Sequence, residues 1–155
     1  MKNFIYGLIV GVISVFTVSA VVYERVTNNL IDDNQKKQEF YDVFYKWLQK
    51  KETGKGLADY FIRNNYRRIA IYGMKELGEL LCDELLGTDS VCIKYAIDKN
   101  TNMTYKNIPI VSPDSELPDV DLIVVTAIHY FNEIEDLLKQ KVTCPVVSIE
   151  DVVFS

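Results

Sequence analysis

Two glycines and an acid carry the most chemical promise in this sequence. Gly73 and Gly78 bracket the run Tyr72-Gly73-Met74-Lys75-Glu76-Leu77-Gly78, and Asp98 follows Gly78 by twenty residues. Between an apolar strand and a helix, that spacing suits a nucleotide. A first glycine makes a tight turn, a second lets pyrophosphate approach the backbone, a third lets helix and strand pack closely, and the acid accepts ribose hydroxyls. Gly73 and Gly78 fill the first and third places, and Lys75 fills the second. The Lys75 side chain must turn away from the phosphate or meet it as a point charge. The helix start still offers free N–H groups to an anion, although Glu76 in the first turn repels one.

Asp98 favours the ribose of NAD over a 2′-phosphate, and Lys99 beside it moderates that preference toward NADP. Asp98 can equally open a turn with Asn100. A further group follows the fourth apolar segment, Thr126-Ala127-Ile128-His129-Tyr130. Thr126 joins the cofactor-contact candidates, which are then Gly73, Met74, Lys75, Gly78, Asp98, Lys99 and Thr126. His129 is the single histidine and the one side chain whose ordinary pKa lies near neutrality. It is a weak candidate for a catalytic base. No carboxylate at a diagnostic spacing accompanies it, so a helix-start histidine is the plainer reading. Ser112-Pro113 can wall the same pocket. Tyr95 and Lys99 imitate the Tyr/Lys pair of short-chain dehydrogenases, but that pair needs a helix and these residues fall on a strand end. No Ser-His-Asp set, Walker lysine motif or metal-ligand spacing is present in the sequence.

The elements that must position these groups alternate from residue 67 onward. Residues 69–72 read as a first strand, 76–86 as a helix with Leu77, Leu80, Leu81 and Leu85 inward, and 91–97 as a second strand. Residues 108–111 form a short third strand, which Pro109 assigns to an edge. Residues 122–126 are a fourth strand, 130–139 a helix with Ile134, Leu137 and Leu138 inward, and 146–149 a fifth strand. Near-continuous apolar strands between helices predict a small, doubly wound, parallel five-stranded sheet of Rossmann-like α/β class.

Ahead of the sheet, residues 4–23 carry no charge. Twenty such residues reach about 30 Å as a helix, the hydrocarbon thickness of a bilayer. Tyr6 and Tyr23 sit near the ends, where amphipathic rings suit the interface. A retained single-span anchor is favoured over a cleaved signal, because the apolar run exceeds a signal-peptide core. Residues 40, 43, 44, 47 and 48 then form an amphipathic stripe, ended by Thr53-Gly54-Lys55-Gly56, and a short second helix carries Leu57, Tyr60 and Phe61. The chain divides on this reading into an anchor (1–25), a helical linker (26–66) and a Rossmann-like domain (67–155).

A net charge of −5 over 155 residues argues against nucleic acid as a partner. Cys82, Cys92 and Cys144 have no pairing logic, and each reads as a buried reduced thiol that suits a reducing compartment. The soluble part is therefore expected in the cytoplasm, held to the membrane.

Ile71-Tyr72-Gly73-Met74-Lys75-Glu76-Leu77-Gly78 and Tyr95-Ala96-Ile97-Asp98-Lys99-Asn100 resemble the NAD(P)-binding Rossmann-like segments of bacterial surface-polysaccharide proteins. Those proteins include membrane-bound sugar-nucleotide dehydratases and epimerases, and the amino domains of sugar acyltransferases. The likeness covers roughly residues 67–153. Relatives usually carry Gly-Ala-Gly-Glu-Leu-Gly, so Lys75 is a departure, and their catalytic parts have no counterpart here. The resemblance implies a binding or accessory module for a nucleotide or nucleotide sugar, partnered with the lipid bilayer and a membrane-associated glycan-synthesis enzyme. An NAD(P)-dependent oxidoreductase or epimerase component, and a structural interaction protein without ligand, are the alternatives.

Overall fold

The computed structural model describes residues 2–155, with side chains described from residue 21 onward. Its elements are α1 (Lys2–Glu52), α2 (Ala58–Arg63), β1 (Arg68–Tyr72), α3 (Glu76–Leu86), β2 (Cys92–Ile97), β3 (Ile110–Val111), β4 (Leu122–Val125), α4 (Phe131–Leu138), β5 (Val146–Ser148) and α5 (Ile149–Phe154). A single 3-10 turn, Ile128–Tyr130, leads into α4.

The five strands form one sheet in the order β3-β2-β1-β4-β5, and every pairing is parallel. The predicted α/β class and parallel five-stranded sheet are thus present. β1 lies at the centre, and the chain winds outward from it first through β2 and β3, then through β4 and β5. The carboxyl ends of β1 and β4 flank the point where that winding reverses, which is where open sheets of this kind place ligands.

The strands are buried because both faces are covered. Along β1, Ile69, Ala70 and Ile71 are all inaccessible, and alternate residues serve opposite faces. On one face Ala70, Ile97, Ile123 and Val125 pack with Leu138 of α4, while Phe131 and Ile134 cover their rim. α3 packs on β2 with Leu77, Leu81, Cys82 and Leu85 buried. Leu80 and Leu137, both expected inward, are each 39% exposed; the helices rotate them off the sheet.

Two boundaries shift for definite reasons. β3 starts at Ile110 and not at residue 108, since Pro109 has no N–H for the ladder and Ile108 instead donates to the Tyr105 carbonyl. The edge position expected from Pro109 holds, because β3 ends the strand order. The fifth strand stops at Ser148, where a helix not expected from the sequence begins. Ser148 and Asp151 form a reciprocal capping box there. The Ser148 hydroxyl accepts the Glu150 N–H, and the Asp151 carboxylate accepts the Ser148 N–H, each at 3.2 Å.

The chain divides into two compact units, residues 1–41 and 42–155. In the first, described side chains from 21 onward are mostly exposed, and Lys36 pairs with Asp32 one helical turn away at 2.6 Å. Among the described residues no helix is long and apolar enough to cross a membrane. Most side chains of the expected span, residues 4–23, fall outside the described residues. In the second unit, Val43, Trp47, Leu57 and Phe61 are buried with the sheet's core residues. Glu84 of α3 fastens this helical part: one carboxylate oxygen accepts the Trp47 indole N–H at 2.6 Å and the other accepts the Leu57 backbone N–H.

Candidate functional site

β1 ends at Tyr72 and the chain turns sharply through Gly73, whose φ is +94°. A side chain there would be strained, and its Cβ would lie 2.9 Å from the Thr126 hydroxyl oxygen. The turn is fixed from both neighbouring strands. Gly73 N–H donates to the Ile97 carbonyl at the end of β2 (2.9 Å), and the Thr126 hydroxyl beyond β4 donates to the Gly73 carbonyl (2.7 Å). Gly78 answers a different need. A Cβ on it would fall 2.0 Å from the Gly73 carbonyl oxygen, so only glycine lets the first turn of α3 settle against the strand end. The closeness of helix and strand, which the third glycine of a dinucleotide turn provides, is therefore real here.

Asp98 is also drawn into the turn. Its Oδ2 accepts the Met74 N–H and its Oδ1 accepts the Asn100 N–H, both at 2.9 Å. The turn with Asn100 that Asp98 was expected to open is thus present, and the same carboxylate also fixes the Met74 amide. A carboxylate has about four acceptor positions, so two directions remain for further donors such as ribose hydroxyls. The Met74 N–H, however, already holds an anion, and Met74's side chain is buried against Cys82.

The start of α3 is differently placed. Lys75 is its N-cap residue, extended and exposed, and no side chain caps the helix. The first-turn N–H groups of an uncapped helix point outward and attract negative charge. Glu76 and Glu79 stand in the same turn and oppose it. Lys75 and Lys99 are exposed cations on either side of this turn in the sequence, and neither joins an ion pair among the described residues.

The structure therefore brings together Gly73, Met74, Gly78, Asp98 and Thr126, with Lys75 and Lys99 at their margins. His129 does not join them. It lines a cleft of about 240 Å³ with Tyr130, Asn132, Glu133 and Glu150, to which no glycine-turn residue contributes. The Tyr95–Lys99 pair dissolves as well. Tyr95 is buried, its hydroxyl donates to the Pro118 carbonyl at 2.7 Å, and burial pushes its pKa up to about 12. Ser112 accepts the Asp114 N–H within its own turn, just after β3.

Two residues in the site's surroundings, Tyr72 and Asp114, escaped the sequence analysis. Tyr72 is half-buried, and its hydroxyl is raised above its ordinary value by burial first, then by the Asp98 and Asp114 carboxylates. The last residue of a predicted strand preceding a glycine turn, and an acid after a neighbouring strand, are the sequence signals that point to them. The thiols are not a uniform set: Cys82 is buried, with its thiol pushed up to about 12 by burial, whereas Cys92 opens β2 exposed, contrary to the expectation of a buried thiol. Cys144 is partly covered and also raised by burial.

No protein family, curated protein or solved structure matches this chain.

Proposed function

We propose that this chain is a membrane-anchored, Rossmann-like accessory module that binds a nucleotide or nucleotide sugar at the carboxyl edge of its sheet and performs no chemistry on it. Its partner in this reading is a membrane-associated enzyme of surface-polysaccharide synthesis. The observation that carries the reading is the Asp98–Met74 bond at the head of the uncapped α3. It holds the turn in shape before any ligand arrives, leaves acceptor positions for a ribose diol, and sets them beside helix N–H groups suited to phosphate. Lys75 supplies a charge at the position where a dinucleotide turn has glycine. His129, the one histidine, lies in another cleft, which disfavours the oxidoreductase or epimerase alternative.

The same bond supports a second reading. Because Asp98 fills the Met74 amide, the turn can serve the fold alone, and the chain then acts as an interaction protein without ligand. Thermal unfolding of the full chain with UDP-sugars, NAD(H) and NADP(H) separates the two. A ligand at a hundredfold excess over its dissociation constant stabilises the native state by about 2.7 kcal/mol. Stabilisation by one of these ligands, lost in Asp98→Asn, is expected. No stabilisation by any of them, together with NAD binding that appears only in Lys75→Gly, would leave the fold-only reading standing.

A further inference from the structure

A second region has the chemistry of an anion site, and it owes nothing to the glycine turn. A cleft of about 860 Å³ opens between the end of α1, α2 and α5. That volume lies in the range of about 300–1,000 Å³ typical of small-molecule sites. Lys46, Lys50, Lys55 and Arg63 converge on it, with the Glu52 and Asp59 side chains among them, in a chain whose net charge is −5. Lys50 already serves the fold. Its ammonium donates to the Val152 and Ser155 carbonyls at 3.4 and 2.9 Å, closing the end of α5. Lys46, Lys55 and Arg63 form no ion pair among the described residues, and Arg63 donates only to the Asp59 carbonyl. The cations feel one another. Lys50 is lowered from its ordinary value by burial first, then by Arg63, Lys46 and Lys55. Like charges gathered around a concavity destabilise the fold until an anion joins them, and the same field raises the local concentration of that anion.

Tyr60 and Phe154 line the same cleft and add apolar surface, with Phe154 53% exposed. Arginine and lysine together suit phosphoryl oxygens, the first by a planar fork and the second as a mobile charge. We propose that this cleft binds a phosphate-bearing anion, held by Lys46, Lys55 and Arg63 and flanked by Tyr60 and Phe154. Two sources share that chemistry, a soluble phosphate compound and the headgroup of an anionic lipid. The inference is independent of nucleotide binding at the sheet edge.

The test uses the full chain in neutral detergent, titrated calorimetrically with inorganic pyrophosphate and separately with dihexanoyl phosphatidic acid. Saturable binding of one equivalent is expected, weakening as salt screens the charges. A tighter pyrophosphate isotherm identifies the soluble source, and a tighter phosphatidic acid isotherm the headgroup. Lys55 and Arg63 are exposed, so the double variant Lys55→Gln/Arg63→Gln should fold, with an unchanged Tm. It should lose affinity by about tenfold for each charge-assisted contact removed. Lys55→Arg/Arg63→Lys should recover most of the loss, and Lys94→Gln, at an exposed lysine outside both sites, should leave both isotherms unchanged. The proposal is overturned if neither probe saturates, if the double glutamine variant binds as the natural chain does, or if Lys75→Gln alone abolishes binding.

Discussion

The glycine turn and the basic cleft can both attract an anion, and they do so in opposite ways. In the turn, nearly every polar group already has an internal partner. Gly73 N–H holds a carbonyl, the Gly73 carbonyl holds a hydroxyl, and Met74 N–H holds Asp98. In the cleft, none of the four cations joins an ion pair among the described residues, although Lys50 and Arg63 donate to backbone oxygens. At the Met74 amide the turn carries its anion as part of the chain and leaves a ligand the remaining acceptor positions of Asp98 and the uncapped start of α3, whereas the cleft leaves its cations to another molecule. A motif and a site are therefore different things. The motif records what the backbone needs in order to pass from strand to helix, and a site needs groups that the fold has not already satisfied.

The sharpest way to break this contrast is at Gly78. If the turn is first of all a packing device, a methyl group 2.0 Å from the Gly73 carbonyl must push α3 off the strand end. Gly78→Ala should cost about 4 kcal/mol or more, at the diagnostic end of single-substitution effects. Urea unfolding monitored by circular dichroism measures it. A cost below about 1 kcal/mol, no more than an ordinary substitution, would mean that the turn can relax, and its glycines would then have to be explained by a ligand.

Glu84 tests the other side. It holds the helical layer that bears the cleft, through the Trp47 indole and the Leu57 amide, and an ideal Cβ on Gly56 would already lie 3.1 Å from its Oε1. Glu84→Ala leaves a buried indole N–H and a backbone N–H without their acceptor, a loss of about 2–3 kcal/mol. Trp47 is the only tryptophan and is 5% exposed, so its fluorescence should shift to the red in the variant before the sheet unfolds. An unshifted spectrum would show that the layer is held by Val43, Leu57 and Phe61 alone.

The same contrast explains how far the sequence could be read. The sheet was legible because its strands are buried on both faces and so appear as unbroken apolar runs, as in residues 69–72 and 122–125. The turn was legible because its glycines answer local geometry. α5 was missed although Ser148 and Asp151 announce it, since Val146-Val147-Ser148-Ile149 continues a strand pattern into the helix. The double role of Asp98 was only half legible: its place at a strand end is a matter of spacing, but its bond to Met74 crosses 24 residues. The cleft was not legible at all. Its cations are scattered over residues 46–63 at no diagnostic spacing, and only the fold gathers them with Phe154 and Ser155.

A smaller effect compares two carboxylates that clamp β1 from its two ends. Asp98 does so at the carboxyl end. At the amino end, Asp121 Oδ2 accepts the Arg67 and Arg68 N–H groups at 2.9 and 2.8 Å, and its Oδ1 pairs with the Arg68 guanidinium at 2.8 Å. The backbone bond from Arg68, then its guanidinium, hold the Asp121 carboxyl below its ordinary value. A carboxyl group depressed on folding stabilises fully above its unfolded pKa, about 3.9 for aspartate. That contribution fades as pH falls from there through the lower folded value, because the unfolded chain takes up the proton first. Partial exposure and solvent screening keep it near 1 kcal/mol. Asp121→Asn should therefore be less stable than the natural chain at pH 7 and begin to converge on it only as pH falls from about 4 through the lower folded value, measured by urea unfolding across that range. A difference that persists at low pH would assign the clamp to uncharged hydrogen bonding, as an asparagine amide oxygen could still accept one of the two backbone N–H groups but could not pair with Arg68.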